Sequence, residues 1–359
     1  MHIPDGYLSP ATCATFGAVM VPVWYRASRQ VRKIVKSRYV PLIAVGAAFS
    51  FLVMMFNIPV PDGTTAHAVG AVMIAIVLGP WAAVIAVSIA LIIQALFFGD
   101  GGVLAIGVNC FNMAFAMPMV GYGVYRLLAR HTSLTSSRRA VAAGIAGYVG
   151  INVAALLTAI EFGLQPTLFH TANGTPLYAP FHLSQTIPAM MLAHLTVAGA
   201  AEFAVGLGVI SYLQRANVPI LRINHPDVPV TDAELARQRP LSWKHALVFF
   251  GALVALTPLG LLAPGTAFGE DHPSMLNLEQ YHLNAVPQGL QRFSDFWSHT
   301  LLGGYGFSSG DNAALGYLLS AVIGCAIITL VLVGFVFAYR RLARKDEPES
   351  DSHGSGVAA

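Results

Sequence analysis

Apolar residues along the chain gather into nine stretches, 10–25, 39–58, 66–79, 81–98, 103–125, 140–162, 186–213, 245–264 and 313–339. A helix that crosses a bilayer needs about 20 mostly apolar residues, fewer where the bilayer thins. Each stretch therefore reads as a transmembrane helix. The third is short: as a helix it reaches roughly 21 Å, against a hydrocarbon core of about 30 Å. Either its flanks lengthen it or it ends part-way, beneath a cavity. Only Gly79-Pro80-Trp81 parts it from the fourth, which predicts a tight helical hairpin. The pattern as a whole predicts an all-α, polytopic membrane protein with about nine transmembrane helices.

The polar segments divide this series. Residues 216–242 hold Pro219, Pro226, Pro229 and Pro240 among charges and read as a linker. It separates a seven-span unit, 1–215, from a two-span unit, 243–345, whose spans are joined by the loop 265–311. Residues 346–359 are acidic, rich in Ser and Gly and poor in apolar residues, so a disordered tail is expected there.

Composition supports a membrane protein and charge orients it. Only 10% of residues are charged while 55% are hydrophobic, against about 25% charged in soluble domains. Net charge is +3, but nineteen of the 20 Lys and Arg lie in 26–38, 126–139, 215–244 and 340–345. With nine spans these segments share one side, and Arg292 alone lies on the other. The positive-inside rule makes the basic side cytoplasmic. The expectation is a multi-pass inner-membrane protein, N-terminus outside, C-terminus inside. No base precedes Arg26, so no cleavable signal peptide is expected and the mature chain should begin at Met1. Cys13, Cys110 and Cys325 sit in apolar stretches without metal or disulfide spacing and read as small core residues.

Candidate chemistry lies on the outer side. The chain opens Met-His-Ile-Pro-Asp-Gly. Behind a free amine, the α-amine, the His2 amide nitrogen and His2 Nδ1 can grip one metal through fused five- and six-membered rings. Binding by the amide nitrogen requires its deprotonation, which Ni(II) and Cu(II) promote, and planar nitrogen ligation suits the same two metals. The alternative is that His2 is an ordinary terminal residue. A second segment, Pro61-Asp62-Gly63-Thr64-Thr65-Ala66-His67, offers Thr64 or Thr65 as an N-cap. His67 would then occupy the first turn of the third helix, where the helix dipole favours the neutral, metal-competent ring. The alternative is an interfacial His bonded to lipid or water. A third segment sets Asp100 among glycines, followed by Asn109 and Asn112 on one helix face. These amides either support metal ligands or glue helices together; gluing is expected of Asn112, and Asn109 is left open. Of the polar residues within spans, Glu161, near an outer helix end, is expected to be interfacial, and His194 and Glu202 structural. The loop histidines His170, His182, His272, His282 and His299 show no chelating spacing. No P-loop, no H-E-x-x-H and no nucleophile motif occurs, and the basic loops lack interleaved aromatics. Enzymatic activity, a cofactor and nucleic-acid binding are therefore not expected.

The stretches MHIPDGYLSP, PDGTTAHAVG and QALFFGDGGVLAIGVNCFNMAF together resemble the CbiM/NikM family, the substrate-capture (S) components of energy-coupling factor (ECF) transporters for cobalt and nickel. The C-terminal LTPLGLLAPGTAFGE and GYLLSAVIGCAI resemble the NikN-type PDGLE domain, although the literal string PDGLE is absent. The resemblance implies a metal-capture domain over 1–215 fused to a NikN-like domain over 243–345. It implies a metal held by the Met1 amine, the His2 amide and ring, and His67; Asp62, Asp100 and Asn109, from the segments read above, are candidate supporting residues. It implies Ni(II) cargo, because Pro4-Asp5 resembles the nickel type; Co(II) uptake for cobalamin synthesis is the alternative. It further implies a transmembrane coupling (T) subunit and separate ATP-binding subunits as partners, beside membrane lipid. Ala14 and Ala18 could pack against the T subunit or within the chain. A self-sufficient secondary transporter is the rival class, with Glu161 or Glu202 as its coupling acids.

Overall fold

The computed structural model describes residues 1–35, 40–60, 64–231, 243–263, 265–307 and 310–345. They form a helical bundle with one small hairpin: α1 (Pro10–Val35), α2 (Val40–Met54), β1 (Ile58–Pro59), β2 (Thr65–Ala66), α3 (Ala71–Leu78), α4 (Pro80–Ile93), α5 (Ile106–Asn109), α6 (Met117–Leu128), α7 (Ser137–Leu168), α8 (Leu183–Ala193), α9 (Gly199–Ala216), α10 (Val218–Arg222), α11 (Trp243–Leu256), α12 (Gln288–Phe293) and α13 (Ala313–Lys345). π-helical turns extend α4 through Gln94–Phe98, join α5 to α6 through Cys110–Ala116 and join α8 to α9 through His194–Ala198. Such turns recur at functional sites.

Among the described residues four helical stretches are long and apolar enough to cross a membrane: Pro80–Phe98, Ser137–Leu168, Leu183–Ala216 and Ala313–Gly334. Pro41–Met54 and Leu247–Leu262 are apolar but shorter. The all-α, multi-pass character expected from the sequence stands; the lengths of the described helices do not establish the count of nine. The third stretch departs most. Its helix is α3, eight residues long, about 12 Å at 1.5 Å per residue.

Small residues set the packing around α3. Gly144 and Gly147 of α7 lie so close to α9 that a Cβ on Gly147 would come 3.0 Å from the Glu202 carbonyl oxygen. Gly206 of α9 meets the Ala143 carbonyl of α7 just as closely. Backbones in membranes approach this way where side chains are absent. The approach carries Glu202 into the bundle beside the start of α3. At the other end of α3, Asn224 Nδ2 donates to Ala75 O and Ile76 O, both at 3.1 Å, and to the Tyr122 hydroxyl. The first part of the expected linker is thus packed: Val218 and Leu221 of α10 are buried. Residues 232–242 and the expected tail 346–359 lie outside the described residues.

Ala14 and Ala18 are exposed on α1, as are Val19, Val21 and Tyr25 beside them. They do not pack within the chain. Asn112, expected as glue, donates to Glu161 Oε2 at 2.6 Å and to Thr158 Oγ1 at 3.1 Å, tying the π turn before α6 to α7.

Candidate metal centre

The first nine residues thread into one end of the bundle. Met1, His2, Ile3, Asp5, Tyr7, Leu8 and Ser9 are all buried, and each is fixed by partners distant in sequence. Ile3 N–H donates to Asn109 Oδ1 at 2.9 Å, and Asn109 Nδ2 donates back to Ile3 O at 3.1 Å. Gly102 N–H donates to the same Ile3 carbonyl. The Asp5 carboxylate accepts from Val103 N and Leu104 N at 3.0 and 2.8 Å. Gly102 is required here: a Cβ would stand 2.4 Å from Asp5 N. Ser9 N–H donates to Gln165 Oε1. The question left open at Asn109 is thereby answered for its contacts: it clamps the backbone beside His2.

His67 arrives by a different route from the one expected. Thr65–Ala66 pairs antiparallel with Ile58–Pro59, so Thr64 and Thr65 do not cap a helix and His67 is not in a helical turn. It lies in extended chain before α3, whose N-cap is Gly70 at φ 73°. Glu202 Oε2 accepts Val69 N–H at 2.8 Å and Gly70 N–H at 3.0 Å. A carboxylate from another helix thus satisfies donors that a local cap would otherwise serve, and local sequence could not reveal it.

These two supports bring His2 and His67 together. Their rings stack with centroids 5.0 Å apart and planes at 25°. His67 Nδ1 lies 3.0 Å from Ala68 O and His2 Nδ1 lies 3.1 Å from Asp100 Oδ1. Among the described residues, both Nε2 atoms are buried without a hydrogen-bond partner. Buried polar atoms are ordinarily paired, so a pair of unpartnered, facing imidazoles calls for a ligand. Burial, then the nearby N-terminal ammonium, lowers His2 from 6.5 to about 4. The same two causes, with His2 next, hold His67 well below 6.5. Desolvation, rather than the expected helix dipole, keeps both rings neutral, the form a metal binds. Were a metal held by His67 Nε2, the His2 ring, the His2 amide and the Met1 amine, its donors would all be nitrogen, which suits planar Ni(II) or Cu(II).

Around these groups stand carboxylates. Asp100, expected as a supporting residue, also accepts from the Tyr305 hydroxyl at 2.5 Å and from Gln94 Nε2 at 3.1 Å; burial raises its pKa. The Met1 ammonium donates to Glu270 Oε1 at 2.5 Å. Asp62 lies outside the described residues. Glu270 and Tyr305 were not foreseen as site residues. Both come from the loop 265–311, and the one available signal was the acidity of that loop. Among the described residues no three His, Cys, Asp or Glu side chains form a metal cage; the site as drawn depends on backbone and terminal nitrogens.

Comparison with known proteins gives the chain its relatives. Residues 2–220 match the model of the CbiM family, "cobalt uptake substrate-specific transmembrane region". The chain is 47% identical to the fused nickel transport protein NikMN of Rhodobacter capsulatus, across 96% of this chain and 99% of that one. It is 44% identical to the probable fused nickel transport protein LarMN of Lactiplantibacillus plantarum, across 93% and 97% of the two chains. A crystal structure titled a transition metal transporter is 55% identical and superposes with a TM-score of 0.56, covering 63% of this chain and all of that one. The chain belongs to the CbiM family of substrate-specific membrane proteins.

Proposed function

We propose that the chain captures Ni(II) at the outer face of the cell inner membrane and delivers it for uptake. The observation that carries this reading is the pair of buried, neutral imidazoles, His2 and His67, stacked beside the buried N-terminal amine, with His67 Nε2 unpartnered among the described residues. The metal is cargo, bound by the Met1 amine, the His2 amide and Nδ1, and His67 Nε2. Asn109 supports it by holding the backbone beside His2, and Asp100, 3.1 Å from His2 Nδ1 in this structure, gives up that contact when the metal takes the nitrogen. Nickel is preferred to cobalt because the relatives that match almost the whole chain are named for nickel. A relative named for cobalt, from Clostridium cellulovorans, matches 36% of this chain and 51% of its own.

In this reading residues 1–215 form the capture domain, 243–345 a NikN-like domain, and the N-terminus lies outside. The sequence holds no P-loop, so a T subunit and ATP-binding subunits of an ECF complex supply the energy. The exposed small residues Ala14 and Ala18 on α1 offer that T subunit a close-packing face. A secondary transporter is less well supported, because Glu202, a candidate coupling acid, is engaged with the backbone at the start of α3.

The test is Ni(II) and Co(II) titration of purified protein with a free N-terminus, with an acetylated N-terminus, and with His67→Ala. Binding is expected to be lost in the second and third. Undiminished affinity after acetylation sinks the proposed site.

A further inference from the structure

We propose that Glu270, on the loop 265–311, is a positioning residue of the metal site that aims the Met1 amine at the ion. The inference rests on the amine being a ligand, as proposed above, and adds a contribution from a region outside 2–220, where the family model ends.

Glu270 Oε1 meets the N-terminal nitrogen at 2.5 Å, with the Met1 side chain 1% and the Glu270 side chain 20% exposed. The contact joins residues 269 positions apart, and the loop is built to hold it. Gly269, at φ 77°, packs so tightly that a Cβ would lie 2.9 Å from the Phe162 ring. The Tyr7 hydroxyl donates to Asp271 O at 2.7 Å. Phe268 packs at a tilt against Phe181, ring centroids 4.9 Å apart, and Glu270 N–H closes a turn onto Ala267 O at 3.0 Å. Tyr7, Phe162 and Phe181 belong to one apolar cluster with Ile3 and Leu8. The loop and the N-terminal segment therefore share a core, and the carboxylate is placed by packing on both sides of it.

A free amine rotates about its Cα–N bond, so its lone pair has no fixed direction. An ammonium has three N–H bonds; an amine bound to a metal keeps two and turns its lone pair to the ion. Glu270 can accept one N–H in either state. One fixed N–H restricts where the lone pair points, as a carboxylate does for the second nitrogen of a ligating imidazole.

The experiment uses the full-length protein in detergent, with wild type, Glu270→Ala, Glu270→Gln and Glu279→Gln. Glu279 is exposed on the same loop and controls for the change in charge. Ni(II) affinity is read by calorimetry and the ligand field by Cu(II) electron paramagnetic resonance. Glu270→Ala is expected to weaken Ni(II) roughly 10- to 100-fold and to shift the Cu(II) hyperfine pattern as the amine loses its orientation. Glu270→Gln keeps an acceptor oxygen without its charge, so it should fall between, and Glu279→Gln should match wild type. Wild-type affinity and spectrum in Glu270→Ala overturn the proposal, as does equal weakening in Glu279→Gln. A loss of affinity with an unchanged Cu(II) spectrum overturns it too, since that is what a merely structural role would give. If the wild type itself binds Ni(II) equally well when acetylated, the amine ligand falls first, and that failure is separately visible.

Discussion

Asn109→Leu isolates the cost of loosening the N-terminal segment. Leucine has the same branched four-atom side-chain skeleton as asparagine, so the shape around α5 is largely kept while both hydrogen bonds to Ile3 are lost. The Ile3 carbonyl keeps Gly102 N–H as a donor. The Ile3 N–H keeps nothing: its recorded acceptor is Asn109 Oδ1, and the residue is 0% exposed. Leaving a buried donor unpaired costs about 1–3 kcal/mol. That cost is felt only when residues 1–5 are docked, and docking is what assembles amine, amide and imidazole around an ion. It should therefore appear as a loss of Ni(II) affinity, roughly 5- to 150-fold at 1.4 kcal/mol per factor of ten. Calorimetric titration of the purified variant measures this directly, and thermal unfolding checks that the bundle itself survives. Affinity within twofold of wild type would refute the argument that Asn109 holds the chelating segment in place.

Two further outcomes are expected. Glu202→Ala orphans the N–H groups of Val69 and Gly70 together; it should lower stability by at least about 2 kcal/mol and weaken Ni(II) binding through His67, with Glu202→Gln intermediate, as read by thermal unfolding and titration. Acidification should destabilise chelator-stripped protein: His2 titrates near 4 in the fold and 6.5 when unfolded, so the unfolded chain binds more protons and stability falls with pH between those values. The loss reaches on the order of 3 kcal/mol by pH 4 at 1.36 kcal/mol per unit, His67 adds in the same direction, and His2→Ala should flatten the slope of the unfolding midpoint against pH.

What the sequence disclosed followed from how local each feature is. The chelate of Met1 and His2 involves atoms of two adjacent residues, so it could be drawn without a fold. The truncated third helix followed from counting apolar positions against bilayer thickness. His67 was legible as a residue but not in its setting. Thr64 and Thr65 look like caps, and only the arrival of Glu202, 132 positions from Gly70, explains why the chain stays extended there and the helix waits for Ala71. Asp100 and Asn109 stood out as polar groups in apolar company, and both reach the N-terminal segment. Glu270 and Tyr305 were invisible as site residues, since one acid among several in a long loop carries no mark of what it will touch.

The short helix α3 has a mechanical meaning. It is held at one end by Glu202, against the residues that follow His67, and at the other by Asn224, which grips the carbonyls of Ala75 and Ile76. A rod of about 12 Å is too short to bend appreciably between two such clamps. A displacement of the segment around α10 would therefore reach Val69 and Gly70, the residues Glu202 holds, with little lost to flexing of the helix. A full-length spanning helix would absorb part of such a motion before it arrived beside His67.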